Sequence, residues 1–166
     1  MARPRPEPTA PGQESVWDYP RPPRVERRDV RVVVRFGGAV LVDTTDVVRV
    51  LETSHPPVYY LPVSAFRAGA LVPAAGGSYC EFKGSAVYFD VVGGNGATAA
   101  RAAWNYPAPQ RGFEALAERV ALYARPMDEV TVDGEAVVPQ PGGFYGGWIT
   151  SAVAGPFKGV PGSMGW

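Results

Sequence analysis

Ser78-Tyr79-Cys80-Glu81-Phe82-Lys83-Gly84-Ser85-Ala86-Val87-Tyr88-Phe89-Asp90 is the stretch on which the reading of this chain turns. It has the composition of a strand and holds an acid, a base and a thiol within four residues. Read as one central strand, it places side chains alternately on two faces. Cys80, Phe82, Ala86 and Tyr88 then share one face, and Tyr79, Glu81 and Lys83 the other. With the first face in the core, Cys80 is a small buried hydrophobe, and Glu81 stands beside Lys83 on an accessible face. Such a pair can act as an acid/base couple, or as a cation with its orienting carboxylate. The plainer reading is a surface ion pair worth at most about 1 kcal/mol.

Upstream, residues 30–44 read as a β-hairpin, with β-branched residues on either side of Gly37-Gly38. A third strand follows at 47–52. The pattern stops at Ser54-His55-Pro56-Pro57, since proline cannot donate to a ladder. Val58-Tyr59-Tyr60-Leu61 is a further strand, and 63–67 suits one helical turn after Pro62. Downstream, Gly93-Gly94-Asn95-Gly96 is a loop; it opens no helix and lacks the spacing of a nucleotide-binding turn. Phe113, Leu116, Ala117, Val120 and Tyr123 fall at helical spacing, so 113–123 is expected as the one short helix. Residues 129–138 form a second hairpin around Asp133-Gly134 and echo the first as a faint repeat. The C-terminal part is rich in glycine and aromatics, from Gly142-Gly143-Phe144-Tyr145-Gly146-Gly147-Trp148 to Phe157-Lys158-Gly159.

Residues 1–13 are Pro-rich and polar and read as a disordered tail. Trp17 and Tyr19 begin a different segment, an extended arm laid on the body by its aromatics. One domain over 14–166 follows, within the size that a single core serves. With 20 glycines and 18 prolines the chain is punctuated every few residues, which favours short strands and turns over long helices. Sixteen basic and sixteen acidic residues cancel, which argues against a broad surface for nucleic acid or anionic lipid. No apolar run approaches the roughly 20 residues that a membrane helix needs, and the N-terminus lacks the apolar core of a signal peptide. One cysteine excludes an internal disulfide and a cysteine-rich zinc site. A cytoplasmic location, no metal and no cofactor are the corresponding expectations.

Both lysines of this arginine-rich chain, Lys83 and Lys158, sit in Phe-Lys-Gly tripeptides. A compact ammonium with a movable pKa is what lysine offers and arginine does not. Glu52 falls on the face of Val48 and Val50, where a carboxylate is either paired, most commonly with arginine, or raised in pKa. His55 is the single histidine, a general base or a brace of the Pro56-Pro57 turn. Tyr60, Trp104, Tyr145 and Trp148 are the aromatics expected to wall a pocket.

Taken together, Glu14-Ser15-Val16-Trp17-Asp18-Tyr19-Pro20-Arg21-Pro22, Leu51-Glu52-Thr53-Ser54-His55-Pro56-Pro57-Val58-Tyr59-Tyr60, Tyr79-Cys80-Glu81-Phe82-Lys83-Gly84, the glycine-aromatic run 142–148 and Gly155-Pro156-Phe157-Lys158-Gly159 resemble a bacterial family known as domain of unknown function 427. The resemblance covers about 14–166. It implies a mostly β, β-tent-like fold, in which two small antiparallel sheets pack at a steep angle. Some β-tent proteins pin their sheets with a four-cysteine zinc site, which Cys80 alone cannot form. Some hold a small ligand in an aromatic cage, for which Trp104, Tyr145 and Trp148 are the residues here. A nucleotidyltransferase activity, sometimes attached to the family, finds no paired carboxylates at metal-binding spacing in this sequence.

The expected function is binding of an unknown small polar or heterocyclic molecule, with Glu52, His55, Glu81, Lys83 and Lys158 as polar contacts. A metal-independent enzyme would instead use Glu81 or His55 as general base and Lys83 to stabilise a developing anion. A protein-interaction module would dock through a sheet edge or the Pro-rich tail.

Overall fold

The computed structural model describes residues 3–166, and among these the chain is mostly β, with small antiparallel sheets, no barrel and no α-helix. Seven strands make the larger sheet, in the order Arg24–Arg28, Val47–Leu51, Val58–Pro62, Arg119–Leu122, Thr98–Asn105, Gly84–Val92 and Leu71–Cys80. Four make the smaller one, in the order Glu135–Ala136, Glu129–Val132, Val32–Phe36 and Ala39–Thr44. All neighbours in both sheets are antiparallel.

The smaller sheet is the two expected hairpins lying side by side. Val32 pairs with Val132 and Val34 with Val130, so the two Val-x-Val strands form its centre. Gly37 and Gly38 have φ of 60° and 77°, Asp133 and Gly134 of 49° and 81°. Positive φ at both central residues is the two-residue hairpin turn whose twist matches that of its strands.

The stretch 78–90 corrects the first expectation. It is not one central strand but an edge hairpin: Cys80 pairs with Gly84, and Glu81, Phe82 and Lys83 are the loop between. Tyr79 is 69% exposed at this edge. The alternation inferred across 81–83 therefore does not exist. The opposite edge, Arg24–Arg28, is charged along its length, a composition that discourages pairing with another chain.

The helix expected over 113–123 is a second correction. Only Glu114–Leu116 turns, as a 3-10 helix, and Arg119–Leu122 is a strand buried along its whole length. Asn105 explains the stop. Its side-chain amide donates to the carbonyls of Leu116, Ala117 and Arg119 at 3.3, 2.9 and 2.8 Å. A continuing helix would have filled those carbonyls from its own next turn. The apolar residues behind it serve two faces. Val120 and Leu122 join the core beneath the smaller sheet, and Ala121 joins a second cluster with Val48, Val50, Tyr60, Trp104, Tyr106 and Leu116. A strand covered on both sides loses its alternation, and a short apolar run of this kind is hard to tell from a helix.

The arm behaves as expected. Trp17 and Tyr19 are buried with Val16, Leu51 and Val153, and Glu14–Ser15 pairs in parallel with Val153–Ala154. Beneath it Arg49, 1% exposed, joins Glu14 (3.1 Å) to Glu26 (2.6 Å). Of the Pro-rich tail, residues 1 and 2 lie outside the described residues. The rest has no helix or strand, and Glu7 exchanges two 2.9 Å hydrogen bonds with the main chain of Gly155. No helix among the described residues is long and apolar enough to cross a membrane.

Candidate functional site

A cavity of about 420 Å³ opens on the face of the seven-stranded sheet turned away from the smaller sheet. Period-2 alternation supplies its floor. Val50 and Glu52, Val58 and Tyr60, and Trp104 and Tyr106 are pairs two residues apart, each pair presenting to the cavity. The edge hairpin closes one side with Cys80, Glu81, Lys83 and Tyr88, and the glycine-rich segment the other with Phe144, Tyr145 and Gly146. Lys158 comes from the last part of the chain.

His55 is the best-determined group. Gly147 N–H donates to Gln140 Oε1 at 3.0 Å, which fixes the orientation of the Gln140 amide. Gln140 Nε2 then donates to the Lys158 carbonyl (2.9 Å) and to His55 Nδ1 (3.1 Å). With Nδ1 as acceptor, the neutral ring carries its proton on Nε2, which faces Glu52 Oε2 at 3.6 Å. Burial holds the imidazole pKa down to about 4; Glu52 opposes this, while Lys158, Arg21 and Lys83 push further down. At neutral pH His55 is an uncharged donor whose one lone pair is already engaged, and that geometry does not suit a general base. Glu52 pairs with Arg21 at 3.2 Å, so the carboxylate on the apolar face is the arginine-paired kind.

The two lysines come from different parts of the chain, each against a tyrosine. Lys83 Nζ lies 5.7 Å from the Tyr106 ring centre and Lys158 Nζ 5.6 Å from that of Tyr145. Tyr145 also meets His55 edge-on at 4.7 Å. Trp104 packs on Tyr123 at 4.8 Å and directs its N–H toward Tyr60 Oη at 3.4 Å. Gly146 sits against Trp104 so closely that a Cβ there would overlap the indole at Cη2. This glycine is required for contact, not for backbone conformation.

Eight of the nine side chains expected from sequence line this cavity: Glu52, His55, Tyr60, Glu81, Lys83, Trp104, Tyr145 and Lys158. The ninth, Trp148, does not. It is 1% exposed on the other side of the sheet, stacked on Tyr59 at 4.9 Å with its N–H given to the Leu122 carbonyl. Tyr59 and Tyr60, adjacent in a strand, point to opposite faces, and Trp148 follows Tyr59. Glu81 and Lys83 form no ion pair among the described residues, because the loop that carries them is not a strand. Cys80 is half-buried on the cavity wall and packs against the cluster of Val48, Val50 and Tyr60. Sequence reasoning missed Gln140, a lone glutamine between Pro139 and Pro141 with no pattern to mark it. Tyr123 was assigned to a helix that does not form. Among the described residues no three His, Cys, Asp or Glu side chains come together as metal ligands do.

The model of one protein family, a domain of unknown function (DUF427), matches residues 24–133. The match runs from the charged edge strand to the turn of the second hairpin and includes Glu52, His55, Tyr60, Glu81, Lys83 and Trp104; Tyr145 and Lys158 lie beyond it. No curated protein matches the chain. With this match over most of its length and across the cavity floor, the chain belongs to the DUF427 family.

Proposed function

We propose that the cavity binds a small polar or heterocyclic molecule. One observation carries the reading: polar and aromatic side chains from distant parts of the sequence, between Val50 and Lys158, converge on one concavity. Its volume lies within the range of small-molecule sites, and its make-up matches theirs, mostly apolar and aromatic with a few polar groups. Tyr106 and Tyr145 offer rings, over buried Tyr60. Lys83, Lys158 and the Nε2–H of His55 offer donors, and Glu81 an acceptor. The arrangement favours binding over base catalysis, since His55 is engaged through Nδ1. A single cysteine without a disulfide partner suits a cytoplasmic setting.

A thermal-shift screen of nucleosides, nucleotides, aromatic acids and amides tests the reading. A ligand at 100 times its Kd adds about 2.7 kcal/mol, which raises Tm by roughly 5–10 °C for a domain of this size. The expected result is a hit abolished by Tyr145→Ala. A flat screen, or hits that all survive Tyr145→Ala and Tyr106→Ala, overturns the reading in favour of a protein-interaction module.

A further inference from the structure

The charges around the cavity do not balance. Elsewhere the chain pairs its buried cations: Arg49 with Glu14 and Glu26, Arg119 with Asp46 at 2.6 Å. Lys83 differs. It is half-buried, and among the described residues no carboxylate or carbonyl accepts from its ammonium. Lys158 donates to the main-chain oxygen of Trp166 at 3.2 Å, and among the described residues no Asp or Glu side chain pairs with it. On the acidic side, Glu52 is balanced by Arg21, His55 is neutral, and Glu81 is exposed to water. Both lysines of the chain line the same cavity, and among the described residues neither pairs with an Asp or Glu side chain.

Resting on the reading of this cavity as a ligand site, we propose that its ligand is an anion: a flat aromatic or heteroaromatic ring bearing a carboxylate or phosphate. The anionic group goes to the Lys83 and Lys158 ammoniums, and the ring lies against Tyr106 and Tyr145. Lysine suits this task because its point charge accepts either anion without demanding bidentate geometry.

Calorimetric titration of the full chain with matched acids and neutral partners tests the proposal. The pairs are indole-3-acetate with indole-3-acetamide, nicotinate with nicotinamide, and adenosine 5′-monophosphate with adenosine. At least one acid is expected to bind tenfold or more tightly than its partner, and which pair responds separates carboxylate from phosphate. The preference should vanish in Lys83→Met, checked for folding by its melting temperature, and persist in weaker form in Lys83→Arg. Equal binding of acid and neutral partner, lost in Tyr145→Ala, overturns the anion proposal while the cavity remains a ligand site. An acid preference unchanged in both Lys83→Met and Lys158→Met overturns it too, as does silence of every pair; in the last case the broader screen decides the fate of the cavity separately.

Discussion

Gln140 donates to His55 Nδ1 from a position 1% exposed, and its own orientation is fixed by the N–H of Gly147. A residue outside the cavity thus selects which imidazole nitrogen presents a proton inside it. Gln140→Glu replaces the donor with an acceptor. The variant should move the proton of the neutral ring to Nδ1 and raise the His55 pKa well above its present value of about 4. Nitrogen-15 NMR of the imidazole across a pH titration reads both changes. An unchanged tautomer would mean that Gln140 serves packing alone.

The same histidine makes stability depend on pH with a definite sign. Its pKa is about 4 in the folded state against 6.5 when unfolded, so between these values the unfolded chain binds more protons. The contribution of His55 is complete above pH 6.5, falls as the pH drops toward 4, and is gone below it. At about 1.36 kcal/mol per pH unit the loss totals roughly 3 kcal/mol. Urea midpoints from pH 8 to 4, compared between the native chain and His55→Gln, isolate it. The carboxylates of Glu14 and Asp46, both held low by arginines, lose their contributions at lower pH and in both proteins alike.

Gly146→Ala forces the Trp104 ring aside. Besides the overlap at Cη2, the added carbon would stand 2.9 Å from Cζ2 and 3.2 Å from Cζ3. Overpacking of this kind costs about 1–3 kcal/mol. It should also change tryptophan fluorescence and weaken any ligand of the cavity, because Trp104 lines it. A variant with native emission and native Tm would contradict the contact.

Arg49→Met tests the clamp between the arm, the charged edge strand and the sheet. Breaking a buried ion pair commonly costs 3–5 kcal/mol. Here Glu14 and Glu26 keep about a third of their side-chain surface in water, so about 2–3 kcal/mol is expected. The loss should shrink when Glu14→Gln and Glu26→Gln are added, since the uncompensated carboxylates then disappear. Denaturation of the single and triple variants measures it.

What could be read from the sequence followed local chemistry. The turn pairs Gly37-Gly38 and Asp133-Gly134 announced the two hairpins, and strand alternation put Glu52 on the face of Val48 and Val50, while Tyr60 and Trp104 were singled out as aromatics for a pocket wall. The two lysines stood out because the rest of the chain uses arginine. What could not be read depended on partners far along the chain. Val120 and Leu122 resemble a helical stripe until a second layer covers the other side of their strand. Trp148 belongs to an aromatic, glycine-rich run, but only its stacking on Tyr59 decides which side of the sheet receives it. Lys83 was expected beside Glu81 on a strand; the Cys80–Gly84 pair, with Gly84 at a φ of 107°, turns the chain there and leaves both residues in a loop.

The parallel pairing of Glu14–Ser15 with Val153–Ala154 has a consequence for the time course of folding. During synthesis the aromatic arm emerges before the strand it joins and has no ladder until Val153 and Ala154, far along the chain, have left the ribosome. Lys158, the last wall of the cavity, appears later still. Loop closure over such separations is slow, and sheets built from distant partners form in milliseconds to seconds, not microseconds. Trp17 and Tyr19 therefore keep part of their surface unsheltered on the nascent chain until Val153 arrives, with Leu51 as their earlier neighbour.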